Sequence, residues 1–218
     1  MAVLNLGGSV ICPSGPDVGY IQRLLAGLSD IRPLAIVVGG GSTARAYIGA
    51  GRELELNQFQ LDLLGIAATR LNALLVAGAI PDGVFVEGVE EAAAVYGAAV
   101  PVLGGTEPGH TTDAVSLLLA EALGEEDVVI VTKVGGVYDR DPTSHPDARI
   151  LEEVEAGALL REASEKGSTA GARYVLDPLS LIIAMRSGIR IRVIGPDPED
   201  VRGALLGQEV GGTLVLPR

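Results

Sequence analysis

Short apolar runs of strand length alternate with amphipathic helical patterns along the whole chain. This alternation restricts the fold to a largely parallel sheet covered by helices on both faces. Residues 3–6 read as a first strand. Residues 34–38 form a β-branched run suited to burial on both faces. Further strands are expected at 84–86, 100–103, 128–132, 189–194 and 213–216. Helical patterns cover 17–28, 43–51, 57–77, 89–96, 112–123, 155–161, 178–186 and 198–206. At 218 residues the chain can bury a core as one domain, or as two lobes sharing one sheet.

Ligands of such sheets bind at the carboxyl ends of the strands. Three glycine-rich turns follow strand-like runs: Gly7-Gly8-Ser9, Gly39-Gly40-Gly41-Ser42 and Gly109-His110-Thr111-Thr112-Asp113. They can converge on one cleft. Helix amino ends carry unpaired N–H groups and partial positive charge, so they suit phosphates. Thr111 or Thr112 can cap the helix after the third turn, which alone reads equally as an ordinary cap. No P-loop lysine and no dinucleotide-binding glycine pattern is present.

Composition narrows the chemistry. The formal net charge is -12, which argues against broad nucleic-acid binding. Cations must then be placed sparingly, or backbone amides and a metal ion must meet the phosphates. Lysine occurs only at 133 and 166, and tryptophan is absent. One cysteine, Cys12, excludes an intramolecular disulfide and reads as packing. His110 and His145 have no partner spacing for a transition metal. The apolar runs look too short for a bilayer, and the amino end lacks a secretory pattern, so an intracellular protein is expected.

Individual residues add to this. Arg45 projects from the first turn after Gly39-Gly40-Gly41, within reach of the same anion or facing solvent. Asp62 sits inside a long apolar helical pattern. It either faces water or accepts two hydrogen bonds from a ribose diol. Thr132 and Lys133 open an irregular stretch, residues 133–149, with Tyr138, Asp139 and Asp141-Pro142. Such residues at a strand's carboxyl end can hold a nucleotide or magnesium, or simply make turns. The pattern at 57–77 is apolar on more than one side, with Leu63, Ala67 and Asn72 as well as Leu61, Leu64 and Leu71. That suggests a subunit interface. The expected inner stripe is Leu61, Leu64, Ala68, Leu71 and Leu75.

Taken in order, Leu6-Gly7-Gly8-Ser9-Val10, Val37-Val38-Gly39-Gly40-Gly41 with Ala44-Arg45, Gly104-Gly105-Thr106 with Pro108-Gly109-His110-Thr111-Thr112-Asp113-Ala114, Gly136-Val137-Tyr138 with Asp141-Pro142, and Asp177-Pro178-Leu179 resemble the amino-acid kinase superfamily. Within it, the likeness is to archaeal-type uridylate (UMP) kinases. The resemblance implies an open α/β/α sandwich, with a phosphate-acceptor lobe over roughly 1–125 and an ATP-binding lobe over roughly 126–218. It also implies a cytoplasmic homohexamer and Mg-ATP-dependent phosphorylation of UMP to UDP. By motif, Gly40, Asp62, Thr106, Glu107, Pro108, Gly109, His110, Thr111 and Thr112 would face UMP. Gly8, Ser9, Gly41, Arg45, Thr132, Tyr138 and Asp141 would face ATP.

The chain departs from the superfamily pattern at three places. Asn5 stands where many members have Lys, Gly135 where Asp is common, and Ser180-Leu181-Ile182 where a second Lys usually falls. The three losses look coherent, because together they avoid an orphaned buried carboxylate. Arg45 and Lys133 are then the cations left for transition-state charge. A nucleotide-binding protein with weak or no turnover, or another small-substrate kinase of this fold, is the alternative. Isopentenyl phosphate and acetylglutamate kinases are such cases.

Overall fold

A computed structural model describes residues 2–142, 144–165 and 176–218. In chain order, β1 (Ala2–Leu6) leads into a single helical turn, α1 (Gly8–Ile11), then α2 (Val18–Gly27) and β2 (Leu34–Val38). Next come α3 (Gly41–Glu53), α4 (Gln58–Gly78), β3 (Gly83–Phe85), α5 (Val89–Val95), β4 (Val100–Leu103), α6 (Thr112–Leu123) and β5 (Asp127–Val131). The remainder is β6 (Glu153–Glu155), α7 (Ala156–Glu165), α8 (Pro178–Ser187), β7 (Arg190–Ile194), α9 (Pro198–Leu205) and β8 (Thr213–Leu216).

These strands make one sheet in the order β3-β4-β2-β1-β5-β7-β8-β6. Pairing is parallel throughout except between β7 and β8. From β1 the chain works outward through β2 to β3 and β4, then returns to β5 on the other side of β1. The loops after β1 and β5 therefore open at the point where the strand order reverses, with the loop after β2 beside that of β1.

Alternate strand residues reach opposite layers. Leu4, Leu6 and Ile36 pack with Ile21, Leu24, Val76 and Val201 from α2, α4 and α9. Val3, Ala35 and Val37 pack with Leu117 and Leu119 of α6 and Leu181 and Ile183 of α8. Each fully buried Leu, Ile or Val contributes about 1.5–3 kcal/mol.

Two elements were not expected. The turn α1 is one, formed by Gly8 and Ser9 with Val10 and Ile11. The other is β6, whose short Glu153-Val154-Glu155 run gains strand form only by pairing with β8. The helix expected over 155–161 starts one residue later and runs to Glu165.

The inner stripe expected for α4 is also corrected. Leu61 and Ala68 are buried, but Leu71 and Leu75 are exposed, whereas Thr69, Asn72, Ala73 and Val76 face inward. A helix apolar nearly all round has no periodicity to choose its inner face; contacts with α3, β3 and β4 choose it. By length and composition alone α4 would pass for a membrane-crossing helix, but in the fold it packs against α3, β3 and β4.

Candidate active site

β1 and β2 end side by side, with Leu6 opposite Val38. The glycine turns that follow touch. A Cβ on Gly8 would lie 2.1 Å from the Gly41 nitrogen, and one on Gly39 would lie 2.4 Å from the Gly8 nitrogen. Side chains at these positions would drive the two backbones apart. Gly41 also has a φ of 59°, in the left-handed region that glycine occupies readily. α3 begins there with Gly40 as its cap, which has no side chain to offer, and the Ser42 N–H of its first turn donates to the Cys12 carbonyl at 2.7 Å. The amino end of a 13-residue helix thus meets the Gly7-Gly8 turn, and its partial positive charge suits an anion there.

Beside this junction lies a cleft of about 450 Å³ between α3, α4 and the loop before α6. Gly40, Asp62, Gly109, His110, Thr111 and Thr112 line it, as expected. Thr106, Glu107 and Pro108 belong to the same loop but not to the lining. Ala44, Ile48 and Ile66 make an apolar wall, and Gln58 and Thr69 add polar groups that sequence reasoning missed. Both polar residues follow from the helical phase of α4, which pattern alone left open.

Asp62 is half-buried on the cleft wall. Its Oδ2 accepts the Gly109 N–H at 2.9 Å, and its Oδ1 accepts from Gln58 Nε2 at 2.8 Å. Thr111 caps α6, accepting the Ala114 N–H at 3.1 Å, and donates its hydroxyl to the Asp177 carboxylate. Asp177 in turn caps α8, accepting N–H groups from Leu179 at 2.9 Å and Ser180 at 3.1 Å. The acceptor cleft is therefore tied directly to the helix beyond it.

A different carboxylate, which the sequence reading did not consider, lies beside the first departure. Asp113, half-buried at the start of α6, accepts from Asn5 Nδ2 at 2.7 Å. A neutral amide, not a cation, faces it. Desolvation, with the nearby charge of Asp177, pushes the Asp113 carboxyl up to about 7, against the lowering effect of Asn5. Asn5 Oδ1 is buried and has no hydrogen-bond partner. The pair is separated by 108 positions, so no local pattern could have revealed it. The other two departures have local reasons. Gly135 has a φ of 77°, and Leu181 is buried in the core under α8.

Of the residues expected on the ATP side, Thr132, Tyr138 and Asp141 lie in the loop after β5. The loop folds back on itself: Asp139 N–H donates to the Arg149 carbonyl at 3.0 Å and Leu151 N–H to that of Val137 at 2.8 Å. Within it Thr132 Oγ1 accepts the Val134 N–H at 3.1 Å, and the Tyr138 hydroxyl donates to the Val134 carbonyl at 3.0 Å. Asp141 accepts the Ser144 hydroxyl at 3.1 Å. Lys133 is exposed at the loop's start, and Ser9 lies in α1. Arg45 is exposed on α3, donating to the Pro13 carbonyl at 3.1 Å. Cys12 is buried, its Sγ 3.3 Å from Ser42 Oγ.

Among the described residues no three His, Cys, Asp or Glu side chains are grouped to hold a metal. The meeting glycine turns suit a phosphate chain, and the Asp62 wall suits a polyol.

The profile of the Amino acid kinase family matches residues 1–195. A uridylate kinase of Pyrococcus abyssi is 44% identical over 200 residues, covering 88% of this chain and 89% of that protein. One from Methanothermobacter thermautotrophicus is 39% identical over 220 residues, 98% of each chain. The crystal structure of uridylate kinase from Archaeoglobus fulgidus matches with a TM-score of 0.83 at 36% identity, over 99% of this chain and 100% of that one. A solved isopentenyl phosphate kinase shares the fold, with a TM-score of 0.73 at 23% identity over 98% of this chain and 99% of that one.

Proposed function

The chain belongs to the amino acid kinase family, and on that premise we propose that it transfers a phosphoryl group from ATP to UMP, giving ADP and UDP for pyrimidine nucleotide synthesis. The observation that carries this reading is the junction of the Gly7-Gly8 and Gly39–41 turns beside a cleft walled by Asp62 and the 109–112 loop. UMP would lie in the cleft. Its ribose hydroxyls would meet Asp62, and its phosphate would lie near Gly40, Thr111 and Thr112. Gly8, Ser9, Gly41, Thr132, Tyr138 and Asp141 would hold ATP, within an ATP lobe of roughly 126–218 facing an acceptor lobe of roughly 1–125.

Phosphoryl transfer asks little covalent chemistry of the protein; alignment and charge neutralisation dominate. Backbone N–H groups of the two turns would stabilise the equatorial oxygens. Arg45 and Lys133 would supply cationic charge. Magnesium, bound to the nucleotide, would offset further charge. The exposed apolar stripe on α4, Phe59, Leu63, Ala67, Leu71 and Leu75, supports assembly into a homo-oligomer, a hexamer built from dimers on the family pattern. We place the activity in the cytoplasm, with small-molecule partners rather than nucleic acid or membrane.

A coupled assay with ATP over UMP, CMP, AMP and isopentenyl phosphate tests the proposal. UMP is expected to exceed the others in kcat/KM by on the order of a hundredfold. Equal use of CMP or AMP, or preference for isopentenyl phosphate, would refute the assignment. Tight UMP binding without turnover at high enzyme concentration would instead establish a binding protein. Asn5 in place of a lysine is the observation that favours that second reading.

A further inference from the structure

Backbone bonds tie the Gly39–41 turn in part: the Gly39 N–H donates to the Leu6 carbonyl at 2.9 Å, and the Gly40 carbonyl accepts the Ala44 N–H at 3.2 Å. Gly39, Gly40, Gly104 and Gly105 have no side chains, and glycine backbone is the freest in any chain. α4 supplies further restraint. Asn72 is 3% exposed on its inner face, among Ala68, Ala73 and Val76. Its Nδ2 donates to the Gly39 carbonyl at 2.8 Å and to the Gly40 carbonyl at 3.1 Å. One helical turn earlier, Thr69 Oγ1 accepts the Gly105 N–H at 2.7 Å and donates to the Ile66 carbonyl at 2.6 Å. Two polar residues in an apolar face are tolerated because each is fully engaged, and each is engaged by a glycine turn.

A trans peptide is planar, with its N–H directed opposite to its C=O. Drawing the Gly39 carbonyl onto Asn72 turns the Gly40 N–H the other way. Drawing in the Gly40 carbonyl does the same for the Gly41 N–H. On that side lies the Gly7-Gly8 turn: a Cβ on Gly8 would be 2.7 Å from the Gly40 nitrogen and 2.1 Å from the Gly41 nitrogen. We propose that Asn72 is a positioning residue for phosphoryl transfer, holding two successive carbonyls so that two successive N–H groups aim at the space between the glycine turns. It touches no substrate and acts through Gly40 and Gly41. The inference rests on the phosphotransfer reading above.

The test compares the full-length protein with Asn72→Leu, which removes both donors at similar volume, and Asn72→Ser, which keeps one. Asn72→Leu is expected to lower kcat at least about tenfold, while the UMP dissociation constant by calorimetry moves less than about threefold. Asn72→Ser is expected to recover part of the loss. In Asn72→Leu, hydrogen exchange across 39–42 should accelerate while exchange within α4 stays unchanged. Unaltered kcat and unaltered exchange would overturn the proposal, as would a fall in kcat matched by an equal fall in UMP affinity. If Asn72→Leu does not fold, Asn72→Ser carries the same comparisons. If the unmodified protein does not phosphorylate UMP, the functional reading fails separately. Inorganic phosphate then serves as the probe: it should slow exchange at 39–42 in the unmodified protein and not in the variant, and equal slowing in both overturns the proposal.

Discussion

Asp113 shows how one side chain can matter to folding in a way its neighbours in sequence do not announce. In the folded chain its carboxyl keeps its proton to about 7, against an ordinary value of 3.8. Folding therefore favours the protonated form. The stability this provides is complete below the ordinary value and is lost as pH rises through 7. Asp113→Asn removes the penalty. Its melting midpoint is expected to exceed that of the unmodified protein by several degrees at pH 8 and to match it near pH 4, as read by thermal melts. A constant offset across that range would show that the carboxyl does not titrate as described. Arg45 is the first of the two cations proposed to act on the transferring charge. Arg45→Ala is expected to lower kcat about a hundredfold, with UMP affinity within a few fold. Unchanged kcat in a coupled assay would remove Arg45 from the chemistry. Lys133→Ala should cost less, because Lys133 is exposed at a loop's start.

Caps and turns carry the element scale. Asn57 and Gln60 close a capping box on α4, with Asn57 Oδ1 accepting the Gln60 N–H at 3.0 Å and Gln60 Oε1 accepting the Asn57 N–H at 3.0 Å. Asn57→Ala is expected to destabilise the protein by about 1 kcal/mol, measured by denaturant unfolding. Because α4 holds both glycine turns, kcat in that variant should fall more than the small stability loss alone implies. The helix starts at Asp17, Asn57, Thr111 and Asp177 were legible because each places a hydrogen-bond acceptor ahead of an apolar periodic run. β6 was not legible, because a three-residue strand with Glu at two of its positions has no pattern of its own.

At the scale of the whole molecule, the proposed assembly rests on the exposed side of α4. Phe59 is 60% exposed and Leu71 59%, and with Leu63, Ala67 and Leu75 they recur every four residues as one stripe. Leu71→Glu with Leu63→Glu is expected to reduce the assembly to a smaller species in light scattering at micromolar concentration, with the fold retained by circular dichroism. A monomeric unmodified protein would contradict the oligomer and weaken the uridylate kinase assignment with it.

The alternation of runs was enough to determine the parallel sheet, its two helical layers and the strand ends where a ligand binds, since periodicity and turn residues are local properties. The glycine turns and the 109–112 loop were legible for the same reason. Only the tertiary structure decided which side of α4 faces inward. It alone brought Asp62 onto Gly109, Asn72 onto Gly39 and Gly40, and Asn5 onto Asp113. Each of these contacts joins residues more than thirty positions apart. They depend on how the strands are ordered and on the phase of a helix apolar on every side, and neither is written in any local stretch of sequence.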